Sequence, residues 1–177
     1  VHIFYYFLIY FILMISNNLI IIGIKIKNID LIKKSINKNT DIFLVDSNST
    51  EKMLLDYVKG KTYESVGYFA HYQNPEMHTI TPDVTYNLTN DKDKLVIFWN
   101  NFNTQTIDYL GCSILKNQNW ENTLKYLEKN TTKKFRASDD NTGNLKAGGD
   151  WILESDGVNI KDIYFNEEIN KWMGLLA

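Results

Sequence analysis

Short apolar runs, each followed by a segment with helical spacing, constrain the fold of this chain more than any other feature. Residues 19–26 form a nearly continuous isoleucine-rich run, typical of a strand buried on both faces. Strands that alternate with helices of about ten residues predict βαβ crossovers. We therefore expect an α/β fold, a three-layer sandwich with a mostly parallel sheet and helices on both faces. Further strands are expected at residues 41–46, 65–70, 106–111, 134–138 and 151–154.

The segments between these strands are assigned from apolar spacing and from turn-forming residues. Trp120, Leu124 and Leu127 lie at positions i, i+4 and i+7, which predicts a one-faced helix with Asn119 as its N-cap. Residues 73–92 are polar and contain both prolines, so a loop is expected there.

A histidine and the chain's single cysteine follow two of the predicted strands. His71 comes directly after residues 65–70, and Cys112 comes directly after residues 106–111. Ligands of parallel sheets bind at the carboxyl ends of the strands, so both side chains are expected at the functional edge. A thiol is mostly protonated at neutral pH, and a neighbouring imidazole can take its proton. This order makes Cys112 a candidate nucleophile and His71 a candidate general base.

Two longer motifs follow: Ala-Ser-Asp-Asp-Asn-Thr-Gly at 137–143 and Gly-Gly-Asp-Trp-Ile-Leu-Glu at 148–154. Together with Gly111-Cys112, they resemble an uncharacterised domain family of large bacterial surface proteins and adhesins, related to caspase-like cysteine peptidases. The resemblance covers about residues 18–155. It implies a caspase-like fold and a cysteine hydrolase or peptidase in which His71 and Cys112 are catalytic. Such an enzyme needs no cofactor and acts on a peptide or protein.

The histidine motif departs from that family's pattern. Ala70-His71-Tyr72 stands where Ser-His-Gly is expected, and the glycine's backbone N–H helps to shape the oxyanion site in caspase-like enzymes. Tyr72 keeps an N–H but brings a bulky ring to a place where close backbone approach is needed. Two functions therefore stay open. One is a cysteine hydrolase, active or degenerate, and the other is a non-catalytic surface, adhesion or structural module that reuses the fold.

Other features have simpler interpretations. A single cysteine after an apolar strand is most often a small buried hydrophobe. Asp139-Asp140 suits a turn, and Gly148-Gly149 suits a sharp entry into the next strand, since no Lys-Ser/Thr follows as in a phosphate-binding loop. No metal-ligand spacing links a histidine to Cys112, so no metal is expected.

Charge argues against nucleic acid as a partner. The chain has 19 basic and 21 acidic residues, for a net charge of −2, and Arg136 is its sole arginine. Arginine is the usual bidentate reader of phosphates and bases, so a nucleic-acid partner is not expected. The expected partners are a peptide or protein substrate, or a protein partner.

The chain divides into three parts. Residues 1–13 form an apolar leader, interpreted as translated upstream sequence, a signal or an anchor. Residues 14–164 form the α/β domain, and residues 165–177 form a tail expected to be helical and docked, with Ile169, Trp172 and Met173 on one face. Membrane association or secretion is expected only if the leader is real. A chain that starts at Met14 would be soluble.

Overall fold

A five-stranded parallel sheet forms the middle layer of the protein. The structure is a computed structural model that describes residues 17–72 and 74–176. The strands of the sheet are β1 (Asn18–Ile22), β2 (Thr40–Leu44), β3 (Ser65–Phe69), β6 (Thr106–Leu110) and β7 (Lys134–Ala137). The sheet order is β2-β1-β3-β6-β7, with every neighbouring pair parallel. The α/β fold with a parallel sheet, predicted from the apolar runs, is therefore confirmed.

Helices cover both faces of this sheet and create two apolar clusters. On the first face, Tyr68 and Tyr109 pack with side chains of α2 (Glu51–Val58), α3 (Lys92–Asn100) and α4 (Gln118–Asn130), and these residues form the first cluster. Because the sheet lies between this layer and a second helical layer, the architecture is a three-layer sandwich.

On the second face, Phe69 and Leu110 pack with side chains of α1 (Ile29–Ser35) and α5 (Ile160–Tyr164), and these residues form the second cluster. The last described residues, 172–176, join the same cluster through Trp172 and Leu176, which are both buried. We call residues 172–176 the C-terminal segment.

The predicted loop at residues 73–92 is wrong in its middle part. β4 (Met77–Thr81) and β5 (Val84–Asn87) pair antiparallel around a turn that contains Pro82. Alternate side chains of this hairpin enter the first cluster. The strands are short and rich in polar residues, so their alternation is a weak signal beside two prolines.

Two other local predictions are corrected. The N-cap of α4 is Asn117, whose side-chain oxygen accepts from the N–H groups of Asn119 and Trp120 at 3.0 and 3.1 Å. Residues 151–154 contribute only a two-residue strand, β8 (Ile152–Leu153), which pairs antiparallel with β9 (Val158–Asn159).

The tail is docked but only partly helical. A 3-10 helix, Glu167–Lys171, precedes the C-terminal segment, which runs without helical structure. Ile169 and Trp172 are buried as expected, whereas Met173 is exposed. The apolar leader, residues 1–13, lies outside the described residues. Within the part of the chain that is described, no helix is long and apolar enough to cross a membrane.

A buried ion pair holds β6 to β7 below their carboxyl ends. Arg136 donates to both carboxylate oxygens of Asp108, with an Nη2–Oδ2 distance of 2.7 Å. Tyr164 on α5 donates its hydroxyl to the same carboxylate at 2.6 Å. Since Asp108 is fully buried, these donors are what make a charge tolerable there.

Candidate functional site

The carboxyl ends of β3 and β6 lie side by side in one register. Phe69 is opposite Leu110. The Ala70 N–H donates to the Leu110 carbonyl at 3.2 Å, so the pairing continues beyond the two strands. Beyond that bond the ladder is not continued, because the Cys112 N–H donates to the Leu176 carbonyl at 3.2 Å. His71 and Cys112 therefore follow the ends of two neighbouring strands, and the register would put them opposite each other if it were continued by two residues beyond Phe69 and Leu110.

Strand alternation predicts that His71 and Cys112 leave the sheet on the same face. Successive side chains of a strand alternate between faces. Phe69 and Leu110, two positions earlier, both belong to the second cluster. Cys112 packs against that cluster. His71 lines one cavity with Trp172 of the same cluster and a second cavity with Tyr68 of the first cluster, and Cys112 is in the lining of neither cavity.

His71 stands between two cavities. A cavity of about 520 Å³ is lined by His71, Lys25, Lys27 and residues 172–175 of the C-terminal segment, among others. A second cavity of about 200 Å³ includes His71 and His78 in its wall. The Nδ1 atom of His71 is buried and has no hydrogen-bond partner among the described residues.

Cys112 is more enclosed. Its thiol donates to the Thr142 carbonyl at 3.5 Å, and its backbone N–H donates to the Leu176 carbonyl at 3.2 Å. Burial raises the pKa of the Cys112 thiol, and the nearby Asp140 carboxylate raises it further. Among the described residues, no hydrogen bond joins this thiol to the His71 ring. The resting thiol is therefore protonated and points at Thr142.

Tyr72, at the position where the sequence resemblance predicts glycine, turns its ring into the first cluster. A Cβ added to Gly111 would lie only 2.0 Å from the Tyr72 Cδ2 atom, so the ring occupies the space that a side chain at 111 would need. Glycine at 111 and tyrosine at 72 are thus complementary. The ring packs against four aromatic side chains, those of Tyr68, His78, Tyr109 and Trp120.

His78 is a core residue, contrary to its predicted place in a loop. It lies on β4 and is only 2% exposed. Burial lowers the pKa of His78 to about 3, so this imidazole is neutral at physiological pH. Its Nε2 atom has no hydrogen-bond partner within the described residues.

The two long sequence motifs meet in a carboxylate cluster beside the site. Asp140, Asp150 and Glu154 each place one oxygen within 4.8 Å of the others. Burial raises the pKa of Asp140, and the charges of Glu154 and Asp150 add to that effect. The cluster also holds backbone in place, since Glu154 accepts from the Asp139 N–H at 3.0 Å. A turn at Asp139-Asp140, anticipated from the sequence, fits this role.

Sequence reasoning missed the two residues that contact Cys112 directly. Thr142 accepts the thiol hydrogen bond, and its own hydroxyl donates to the Gly111 carbonyl at 3.0 Å. Leu176 accepts the Cys112 N–H. Thr142 lies inside one of the two sequence motifs, and that motif is the one signal that could have pointed to it. Both contacts with Cys112 are made by backbone carbonyls, which any residue type can supply, so the sequence does not reveal them.

Comparison with known proteins places the chain in a family without assigning it an activity. The family model described as a domain of unknown function, DUF4347, matches residues 19–176, so the chain belongs to that family. No curated protein and no solved structure matches the chain.

Proposed function

We propose that this member of the DUF4347 family is a caspase-like cysteine hydrolase that acts on peptides or proteins. Cys112 is the nucleophile and His71 is the general base. The observation that supports the proposal is the position of His71 and Cys112 directly after β3 and β6, two neighbouring parallel strands whose register, continued by two residues, would put the two residues opposite each other. The motif resemblance to surface-protein domains and caspase-like peptidases supports the same assignment.

The proposed reaction is acyl transfer through a thioester. The Cys112 proton passes to His71, and Sγ bonds to the substrate carbonyl carbon, whose oxygen takes the negative charge. The carbonyl re-forms, the C–N bond breaks, and the leaving amine takes the proton from His71. Water then hydrolyses the thioester, which releases the acid and restores the thiol. The Cys112 backbone N–H is suited to bind the oxyanion, because the nucleophile's own N–H has this role in serine proteases.

Under this proposal, the present conformation is a resting form of the enzyme. The thiol donates to Thr142 instead of His71, so catalysis needs a rotation of Sγ about the Cα–Cβ bond. Cavities on both sides of His71 leave its ring accessible. The Tyr72 ring packs in the aromatic core against Trp120.

The test is the rate of Cys112 alkylation by iodoacetamide from about pH 5 to 9, in the native protein and in His71→Ala. Cys112 is the only cysteine in the sequence, so mass spectrometry reads out one site. Activation by His71 should keep alkylation fast below about pH 7, and the substitution should slow it there about tenfold. Cys112→Ser is the blank for labelling at other residues.

A non-catalytic surface, adhesion or structural module is the second candidate. It is favoured by the thiol's hydrogen bond to Thr142 and by the burial that raises the Cys112 pKa. In that case Cys112 acts as a small core residue, and native protein and His71→Ala should alkylate equally at every pH. Equal rates would therefore replace the hydrolase proposal with this one.

A further inference from the structure

The C-terminal segment lies against Cys112 in the manner of a bound peptide. The Leu176 carbonyl accepts the Cys112 N–H at 3.2 Å. In acyl transfer, the nucleophile's backbone N–H binds the oxygen of the carbonyl under attack. Leu176 therefore occupies, with its carbonyl, the position that the proposed mechanism gives to the residue before the scissile bond.

Two further backbone hydrogen bonds extend this likeness. The Leu176 N–H donates to the Thr142 carbonyl at 3.0 Å, and the Gly174 carbonyl accepts from the Asn144 N–H at 3.1 Å. Leu175 faces Gly143 in an antiparallel bridge. Addition of an extended strand to an exposed edge is a general mode of peptide recognition, in which main-chain bonds give affinity and side-chain pockets give specificity.

Glycines on the opposing loop make room for this close approach. A Cβ at Gly143 would lie 2.5 Å from the Gly174 carbonyl oxygen, and a Cβ at Gly149 would lie 2.6 Å from the Leu175 Cδ2 atom. Gly143 also has a φ of 147°, a conformation that suits glycine. The loop is thus shaped to accept an extended backbone at contact distance.

We infer that residues 174–176 occupy the peptide-binding site, and that the site takes extended peptides with a leucine-sized aliphatic residue before the scissile bond. The Leu176 side chain is fully buried in the second cluster, which supplies the apolar pocket. Substrate and segment use the same donors and acceptors, so the segment must leave before a substrate binds. This inference rests on the proposed hydrolase function.

The inference is tested with two peptide chloromethyl ketones that differ in one residue, acetyl-Gly-Leu-Leu and acetyl-Gly-Leu-Asp. On labelling, the Cys112 proton is lost to His71, Sγ bonds to the methylene carbon, and chloride leaves. Leu176→Pro removes the N–H that holds the segment to Thr142. In this variant, the Leu-Leu reagent should label Cys112 at least about tenfold faster than in the native chain, and about tenfold faster than the Leu-Asp reagent.

A control variant and a milder variant of the C-terminal segment make the labelling result interpretable. Leu145→Ala alters a leucine that is 76% exposed beside the paired loop, and it should label at the native rate. If Leu176→Pro does not fold, as judged by tryptophan fluorescence, Leu176→Ala loosens the same side chain and keeps the N–H. Equal labelling of native protein and the loosened variant, or equal rates for the two reagents, would overturn the inference.

Failure of the proposed function would look different. If adding His71→Ala to Leu176→Pro leaves labelling by the Leu-Leu reagent unchanged, the thiol is not activated by His71, and both proposals fall. If His71 governs iodoacetamide alkylation in the native protein while the segment variants change nothing, the hydrolase proposal stands and the segment is simply part of the core.

Discussion

β3 and β6 end side by side at the same edge of the sheet, but the residues that follow them have different surroundings. His71 follows β3, lines two cavities and keeps a buried Nδ1 atom without a partner among the described residues. Cys112 follows β6 and is held by Thr142 and Leu176 through its thiol and its N–H. Two residues that follow matching strand ends therefore differ in how tightly their surroundings hold them.

The buried ion pair between Asp108 and Arg136 supports the sheet below these strand ends. Its loss should have the largest effect on stability of the changes considered. Asp108→Ala removes the carboxylate that pairs with Arg136 and accepts from the Tyr164 hydroxyl, and Arg136 keeps only a longer contact with Asp156 at 3.9 Å. We expect the free energy of unfolding to fall by about 3–5 kcal/mol, because breaking a buried ion pair costs far more than a surface ion pair contributes. Urea unfolding, followed by tryptophan fluorescence, measures the change.

The matched control is Asp56→Ala, which removes the partner of Lys52 in an exposed pair on α2. This control should leave the unfolding midpoint unchanged. A similar, small loss for both variants would show that the buried pair does not hold the two strands together.

The direct contact between the two ends is that of Tyr72 with Gly111. Gly111→Ala puts a methyl group 2.0 Å from the Tyr72 ring, so we expect a loss of about 2–3 kcal/mol in unfolding free energy. Tyr72→Ala in the same chain should recover part of that loss. A double-mutant cycle should give a coupling of at least about 1 kcal/mol, and strict additivity would contradict the contact.

The burial of His78 should make the stability of the protein depend on pH. His78 has a folded-state pKa of about 3 because it is buried, whereas an unfolded histidine titrates near about 6.5. The unfolded state therefore binds a proton as pH falls below about 6.5, and the folded state does not. Stability from this group is fully present above that pH and is lost at about 1.4 kcal/mol per pH unit on acidification.

Urea unfolding at about pH 6.5 and 5 measures this dependence, with an expected difference of about 2 kcal/mol between the two pH values from His78 alone. His78→Phe keeps an aromatic ring in the cluster and should remove that part of the slope. His71→Ala is the matched control and should retain the contribution of His78. Identical slopes in the native protein and His78→Phe would show that burial of His78 does not shift its titration.

The sheet could be predicted from the sequence because its strands are buried on both faces. Residues 19–22 are apolar without interruption, and residues 107–110 are apolar apart from the buried Asp108. Short apolar runs of this kind have few other structural solutions. The hairpin of β4 and β5 was missed because only alternate residues enter the core. Asn117 was missed as a cap since Asn119, two residues later, offers the same side chain.

The candidate site, like the fold, could be predicted from the sequence only in part. His71 and Cys112 could be assigned to one sheet edge because each follows a recognisable strand, and parallel strands end together. Their surroundings could not be assigned, since the contacts of Cys112 with Thr142 and Leu176 join positions that are distant in sequence and use backbone carbonyls. The resting state of the thiol is therefore a property of tertiary structure alone.

The most direct measurement is disulfide formation in the His71→Cys variant under mild oxidation. If positions 71 and 112 are opposite each other on neighbouring strands, their Cα atoms fall within the range of about 4.4–6.8 Å that a disulfide spans. We expect loss of two hydrogen atoms by mass spectrometry and protection of both thiols from iodoacetamide. Ala70→Cys, whose side chain belongs to the opposite face of the sheet, should not form the bond. Free, alkylatable thiols in the His71→Cys protein would contradict the shared register on which the proposed catalytic pair depends.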